Sequence, residues 1–365
     1  MRIALDSRLA NIDTGTGRVT YGLFYNLIKS DKDNRYIVLF HNKDPFPDLD
    51  VEKFDVGRGN DQRFTYIWQL FVLPQILNRL SIDIFFSVEN MVYPLFFKGT
   101  TIVSIQDLIP LSINNYYDRL YDKIKYKIKI LSLKLLKKRD RIFTVSNFSK
   151  NEIIKKLKIK SDKIFVVPNA VSSFETPRNT DKVLKNLKIN FPYILAIGGG
   201  EARKNNKTLI KAFVKSKVRE HLVIVGDTMR TKQSSQFDNL KEQNKVHLIG
   251  RVTDRELASL YKNANLFVFL SYYEGFGLPI LEAFSYKVPV IAANKTSLPE
   301  VAGDGALLVN PHSEPKIKEC IKKILKDDKY RQDLVKKSQK ILKQFSWERS
   351  AQIFTDNIKN IKIDG

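Results

Sequence analysis

Apolar residues in this chain fall into short runs bounded by turn residues, and between those runs they recur at helical spacing. Residues 1–5 give a strand pattern. A polar loop follows, then Gly15-Thr16-Gly17-Arg18, and from Val19 a helix marked by Leu23, Leu27 and Ile28 with Tyr21 and Phe24. Strands are predicted over 36–40, 82–87 and 101–105, the last running into Gln106-Asp107-Leu108-Ile109-Pro110. A strand over 141–145 leads to a helix over 146–156 opened by a capping Ser146 or Asn147, and a strand over 164–167 closes the first series. Few apolar residues occur over 172–182, which reads as a linker. The alternation then restarts with strand 193–197, a helix through Ile210 and Phe213, and strands 222–225 and 246–249 stopped by Gly226 and Gly250. A helix near 257–261, the apolar run 264–270, a strand over 288–292 and helices over 316–325, 333–345 and 347–361 complete the pattern. This rhythm predicts the α/β class, with parallel sheets covered by helices on both faces. Ligands on such sheets bind at the carboxyl ends of the strands, which places the loops at Gly15, Glu89 and Gln106 on one rim of the first half.

The most informative stretch is Ser271 to Glu282, SYYEGFGLPILE. A buried strand ends before it, a glycine-rich turn follows, and Pro279 suits the first position of a helix. An open helix N-terminus is an anion site, and a phosphate fits it. Two carboxylates frame the loop. On one continuous helix Glu274 and Glu282 would lie about 12 Å apart along the axis and roughly 80° apart in direction, poor geometry for a paired acid and base. Either each accepts hydrogen bonds from a different part of one polyhydroxylated ligand, or Glu282 favours the helix dipole and Glu274 is a solvated turn residue. The pair Gly15 and Gly17 lacks both the full dinucleotide fingerprint and the Lys-Ser/Thr of a P-loop, so a tight turn or a close backbone approach to a ligand is expected there.

A length of 365 residues suits two domains, and 43% hydrophobic content supplies two cores. The lone cysteine, Cys320, excludes a disulfide framework and fits a reducing compartment. Asp6 interrupts the N-terminal apolar run, so a first core strand is expected there in place of a signal peptide. No run of about 18 uncharged apolar residues occurs, and a cytoplasmic protein is expected. Asp31-Lys32-Asp33, between a helix and a strand, is expected to form a turn and not a metal site. The net charge of +23 favours anionic partners, although part of it reflects free use of lysine throughout. Nucleic acid is not an expected partner, because no reader motif accompanies the charge. Charge changes the picture at one segment, from Arg119 to Arg139, where nine basic residues face one acid, Asp122. Ile124, Ile128, Leu131 and Leu135 recur there at helical spacing, making a basic amphipathic helix. It either lies on an anionic membrane surface or is an ordinary surface helix with its apolar stripe in the core.

Taken in order, these motifs resemble those of glycosyltransferase family 4, the retaining transferases with the two-Rossmann GT-B fold. The resemblance runs along most of the chain. EGFGLPILE looks like the family's signature of two glutamates separated by seven residues, continued by SLPEVAGDGALLVNP. GGGEARKN, from Gly198 to Asn205, looks like the loop in which an Arg-Lys pair holds the donor diphosphate. MRIALDSR with GTGR, VSNFSK, VPNAV and FSWERSA also have counterparts. The resemblance implies two Rossmann-like doubly wound domains facing each other across a cleft. Residues 1–171 would form the acceptor domain, with the tail 347–365 crossing back onto it; 172–187 would be the linker and 188–346 the donor domain. It further implies retaining hexosyl transfer without a metal or other cofactor, from a nucleotide-sugar donor onto a lipid-linked saccharide of a cell-surface polysaccharide such as O-antigen or capsule. Likeness to the bacterial mannosyltransferase branch makes GDP-mannose the first donor expected, with UDP- or TDP-sugars as alternatives, and places the protein on the inner face of the cell membrane.

Carried over by motif, the catalytic residues are Glu274, which would hold sugar hydroxyls, and Arg203 and Lys204, which would hold the diphosphate. Glu282 would contact the ribose, Phe276, Gly277 and Leu278 would lie beside the sugar, and Gly250, Arg251 and Val252 beside the base. Gly198 and Gly17 complete the donor contacts, and Gly15, Thr16, Gln106, Asp107 and Ser146 form the acceptor or sugar side. Three positions depart from the pattern. Gln106 stands where many relatives have His and cannot titrate near neutrality, which removes a histidine general base and keeps open a catalytically weak nucleotide-sugar-binding subunit. Lys287 replaces a common glycine where left-handed geometry is often needed, at about 1 kcal/mol. Leu270 replaces a proline. His41, His221, His247 and His312 fall at no motif position and are expected to be structural or on the surface.

Overall fold

The computed structural model describes residues 1–11, 14–57, 68–88, 93–113, 116–117, 120–171, 176–199, 201–226, 245–359 and 361. Glu89 and Arg119 lie outside the described residues. The chain divides into two compact units, Met1–Ala170 with Phe345–Gly365, and Val171–Gln344.

In the first unit the strands are β1 (Arg2–Asp6), β2 (Arg35–Phe40), β3 (Glu52–Asp55), β4 (Ile84–Ser87), β5 (Thr100–Ser104), β6 (Arg141–Thr144) and β7 (Ile164–Val166). They form one sheet in the order β3-β2-β1-β4-β5-β6-β7, with every pairing parallel. The strands at its centre are buried on both faces, so β4 and β5 read as continuous runs, IFFS and TTIVS, without polar alternation. The C-terminal helix Trp347–Lys359 belongs to this unit and buries Trp347, Ala351, Phe354 and Ile358 along one face. Phe354 stacks on Phe86 with ring centroids 4.5 Å apart. The Ser350 hydroxyl donates to the Pro168 carbonyl at 2.6 Å.

In the second unit the strands are β8 (Tyr193–Ile197), β9 (His221–Val225), β10 (Val246–Ile249), β11 (Leu266–Phe269), β12 (Val290–Ala293) and β13 (Leu307–Val309). Their order is β10-β9-β8-β11-β12-β13, again all parallel. Both sheets therefore have the doubly wound order 3-2-1-4-5-6, extended by a seventh strand in the first unit, and the direction of winding reverses between the first and fourth strands. In the second unit that reversal lies between β8 and β11, and the loops leaving those two strands are the ones richest in candidate chemistry.

Several elements differ from the sequence reading. Thr180–Asn186, inside the expected linker, is a helix capped by Asn179, with Thr180 and Leu184 buried. The first helix begins at Gly15 and runs to Ser30, so Gly15 and Gly17 form its first turn and not a loop before it. Thr14 caps that helix, its hydroxyl accepting the Gly17 N–H at 3.1 Å, a polar signal that the glycines obscured. The basic segment is helical over Leu120–Ser132 with a 3-10 turn at Leu133–Leu135, and stops there. Its apolar stripe is not in the core: Ile124, Ile128, Leu131 and Leu135 are 47%, 42%, 57% and 50% exposed.

Candidate active site

The loop after β8 and the loop after β11 are tied together by backbone. Tyr272 N–H donates to the Arg203 carbonyl at 2.8 Å, and the Ser271 hydroxyl donates to the same oxygen at 3.1 Å. This brings Glu274 against both cations of the first loop: its Oε1 accepts from Arg203 Nη1 at 2.6 Å and from Lys204 Nζ at 2.7 Å. Glu274 is thus no solvated turn residue; its side chain is only 13% exposed. Burial pushes its carboxyl pKa up, but the charges of Lys204 and Arg203 outweigh burial and hold it below its ordinary value of 4.5. Glu201 reaches Arg203 Nε from the other side at 2.8 Å, so two cations face two carboxylates. Lys204 Nζ also lies 4.8 Å from the Phe269 ring centroid.

Glycine is required at two points of this construction. Gly198 has φ +124°, and a Cβ there would lie 2.3 Å from Lys204 Cγ. Gly277 has φ +118°, and a Cβ there would lie 2.7 Å from a Leu298 methyl. Gly277 also precedes the helix Leu278–Ser285, in which Pro279 occupies the second position, one later than the sequence suggested. No side chain caps this helix, so its first turn offers backbone N–H groups and the positive end of its dipole. Phe276 is buried and Leu278 half-buried at that terminus.

Glu282 sits inside the same helix, 6% exposed, and its Oε2 accepts the Tyr261 hydroxyl at 2.9 Å. Glu274 and Glu282 address different partners, Arg203 and Lys204 for the first and Tyr261 for the second. Gly250 and Arg251 are exposed and Val252 half-buried at the end of β10, and the Gly250 carbonyl accepts the Gly226 N–H at 3.2 Å. In the first unit, Gln106 donates from Nε2 to the Val88 carbonyl at 3.3 Å and accepts at its own carbonyl from the Ser149 hydroxyl at 2.9 Å. Asp107 accepts the Ile109 N–H at 3.0 Å. Ser146 is fully buried and caps the helix Asn147–Leu157 by accepting the Ser149 N–H at 3.0 Å, a structural task. Thr16 offers its carbonyl to the Thr20 hydroxyl at 2.8 Å.

Sequence reasoning missed the residues that hold the site in shape. Asn205 adopts left-handed backbone at φ 59°, accepts the Tyr272 hydroxyl at 2.6 Å and donates to the Pro311 carbonyl at 2.8 Å. His312 stacks on Tyr272 at 4.7 Å, so one histidine outside every motif underlies the motif loop. Ser297 stands at the N-cap position of the helix Leu298–Ala302, but its side chain does not cap that helix. Its buried hydroxyl reaches the Glu274 and Phe276 carbonyls at 3.0 and 2.7 Å and pins the glycine-rich turn. Asn205 follows an Arg-Lys pair and could have been read as a left-handed residue; Ser297 gives no local signal, because its partners lie more than twenty positions away. Among the described residues, no group of three or more His, Cys, Asp or Glu side chains is placed to hold a metal ion.

Two family models match the chain: "Glycosyltransferase Family 4" over residues 14–173 and "Glycosyl transferases group 1" over residues 177–341. The chain is 36% identical to the O-antigen chain mannosyltransferase B of Escherichia coli over 239 residues, 62% of each chain. It is 29% identical over 266 residues to the serotype-specific mannosyltransferase WbdA of Escherichia coli, spanning 69% of this chain and 32% of WbdA. The matched stretch thus spans less than two thirds of these relatives. Among solved structures, Anabaena HepE in complex with UDP-glucose superimposes with a TM-score of 0.74 at 15% identity, covering 98% of this chain and 99% of HepE. WaaG, a glycosyltransferase involved in lipopolysaccharide biosynthesis, does so with a TM-score of 0.70 at 14% identity, covering 98% of this chain and 99% of WaaG. The chain belongs to glycosyltransferase family 4, and its two α/β units have the GT-B fold.

Proposed function

We propose that the chain is a retaining, metal-independent hexosyltransferase that moves mannose from GDP-mannose onto a lipid-linked saccharide during synthesis of a cell-surface polysaccharide, at the inner face of the cell membrane. The observation that carries this reading is the Arg203–Lys204–Glu274 cluster beside the sheet reversal, in the unit that also holds the uncapped helix N-terminus at Gly277. Breaking a sugar–phosphate bond develops negative charge on the departing diphosphate, and preorganised cations and N–H groups lower that barrier. The carboxylate of Glu274 pairs with both cations through one oxygen. In the donor complex a diphosphate offers Arg203 and Lys204 more negative charge than one carboxylate does, and Glu274 accepts hydroxyls of the sugar. Glu282, oriented by Tyr261, is the ribose contact. The names of the O-antigen mannosyltransferase relatives support the choice of sugar.

A thermal-shift panel of GDP, UDP, TDP and ADP tests the donor. A ligand at a hundred times its dissociation constant adds about 2.7 kcal/mol to stability, so GDP is expected to stand apart from the other three. A shift with UDP or TDP in place of GDP would replace the donor, and none with any nucleotide would remove the reading. Gln106 supports one second reading, a donor-binding subunit with weak catalysis. Nucleotide-sugar affinity measured by calorimetry, with no turnover on any acceptor, would favour it.

A further inference from the structure

The helix Leu120–Ser132 packs on the first unit through Tyr126, Ile130 and, just beyond its end, Leu133, which lie on one side when positions are set about 100° apart around its axis. Leu120, Tyr121, Ile124, Ile128, Leu131 and Leu135 occupy an arc about 100° wide directly opposite. All six are exposed, from 42% for Ile128 to 72% for Leu120. Lys123, Lys127 and Lys134 border this arc on one side and Lys125 and Lys129 on the other. An apolar ridge pointing away from the core and flanked on both sides by ammonium groups has the profile of a helix that lies in a lipid headgroup layer. Lysine stems can bury along acyl chains there while their heads meet phosphate.

The Tyr93 N–H donates to Ser132 Oγ at 3.1 Å, and Lys137 Nζ donates to the Phe97 carbonyl, which ties the loop 93–98 to the helix end. On that loop Phe96 is 62% exposed; its carbonyl accepts from Asn78 at 2.9 Å, and its ring lies 5.9 Å from that of Phe71, itself 45% exposed. Val72 beside it is also exposed. These exposed aromatic and aliphatic side chains add apolar surface to the unit that carries the lysine-bordered ridge.

We propose that the Leu120–Leu135 ridge, with the exposed apolar side chains Phe71, Val72 and Phe96 of the same unit, docks on an anionic phospholipid bilayer. It deepens the proposed function by naming the surface that would hold the transferase beside a lipid-linked acceptor. Charge complementarity selects the partner: the border of the apolar arc is basic, so it fits phosphate-rich headgroups and repels a second copy of itself.

The test is co-sedimentation of the full chain with phosphatidylcholine vesicles, with and without phosphatidylglycerol. Binding is expected to the anionic vesicles only and to weaken with salt. Neutralising Lys127→Gln and Lys134→Gln together should weaken it about thirtyfold. Ile128→Glu with Leu131→Glu, and separately Phe96→Ser, should abolish or reduce it with melting temperature and nucleotide affinity unchanged. Nucleotide affinity reports on the transferase reading and vesicle binding on the docking face, so either can fail alone. Equal binding to neutral and anionic vesicles, no binding, or light scattering that shows a dimer dissociated by Ile128→Glu with Leu131→Glu would overturn the proposal.

Discussion

Glu274 holds two cations through a single oxygen, and its replacement separates positioning from charge. Glu274→Gln keeps the shape but lends Arg203 and Lys204 no negative charge. It is expected to lower kcat/KM by about 100-fold or more while nucleotide affinity is kept or improved, as measured by initial rates alongside calorimetry. The folded-state carboxyl of Glu274 releases its proton more readily than an unfolded one, so its contribution to stability is present above its ordinary value of 4.5 and is lost as pH falls through the lower folded value. Asp6 behaves alike: burial raises its pKa, the bidentate Arg8 contact at 2.7 Å outweighs burial, and the stability it lends is lost in acid below 3.8. Lys287 was legible as a conformational compromise, and it has φ 58°. Lys287→Gly should raise the stability of its unit by about 1 kcal/mol, a melting shift of roughly 2–4 °C. What sequence could not supply at this scale is the destination of side chains that act across the fold. Glu274 reaches residues seventy positions away, and Tyr261 orients a glutamate twenty-one positions later.

At the scale of elements, the central strands followed from periodicity because parallel strands buried on both faces give unbroken apolar runs, whereas the short strands Glu52–Asp55 and Leu307–Val309 and the helix Leu73–Arg79 were not expected. The first turn of Gly15–Ser30 was misplaced because glycine carries no periodic signal. The side on which the basic helix is buried was open because its core contacts, Tyr126, Ile130 and Leu133, are fewer than its apolar residues. The C-terminal helix depends on one close approach: a Cβ at Gly22 would lie 2.3 Å from Trp347 Cε2. Gly22→Ala is expected to destabilise the first unit by about 1–3 kcal/mol in denaturant titration and to expose residues 347–359 to protease. At the starts of β9 and β10, His221 Nδ1 and His247 Nε2 lie 2.8 Å apart, with Phe191 stacked on His221 at 3.8 Å. One ring must donate and the other accept. Burial, then Lys245 for His221 and the partner ring for His247, lowers both pKa values from 6.5. Their contribution is therefore full above pH 6.5 and lost as pH falls through the lower folded values. Melting curves from pH 7.5 to about 5 should show this slope, and His247→Phe should flatten it.

For the whole molecule, the doubly wound order of the second sheet brings the loops after β8 and β11 together where the winding reverses, and Arg203, Lys204 and Glu274 meet there. Glu274, expected at sugar hydroxyls, pairs with Arg203 and Lys204, the residues expected at the diphosphate, while Ser146 caps its own helix and Gly17 lies in a capped first turn. The +23 charge, undirected in the sequence, acquires a direction at the exposed ridge of the first unit. The central claim is that the Arg203–Lys204–Glu274 cluster transfers a sugar from its nucleotide diphosphate. The most direct measurement is incorporation of radiolabelled mannose from GDP-mannose into isolated lipid-linked glycan by the wild type and by Lys204→Met. Labelled, α-linked product from the wild type, reduced about 100-fold or more in the variant, is the predicted result. Equal incorporation by the two proteins, or none by the wild type from GDP-, UDP-, TDP- or ADP-linked sugars, would contradict it.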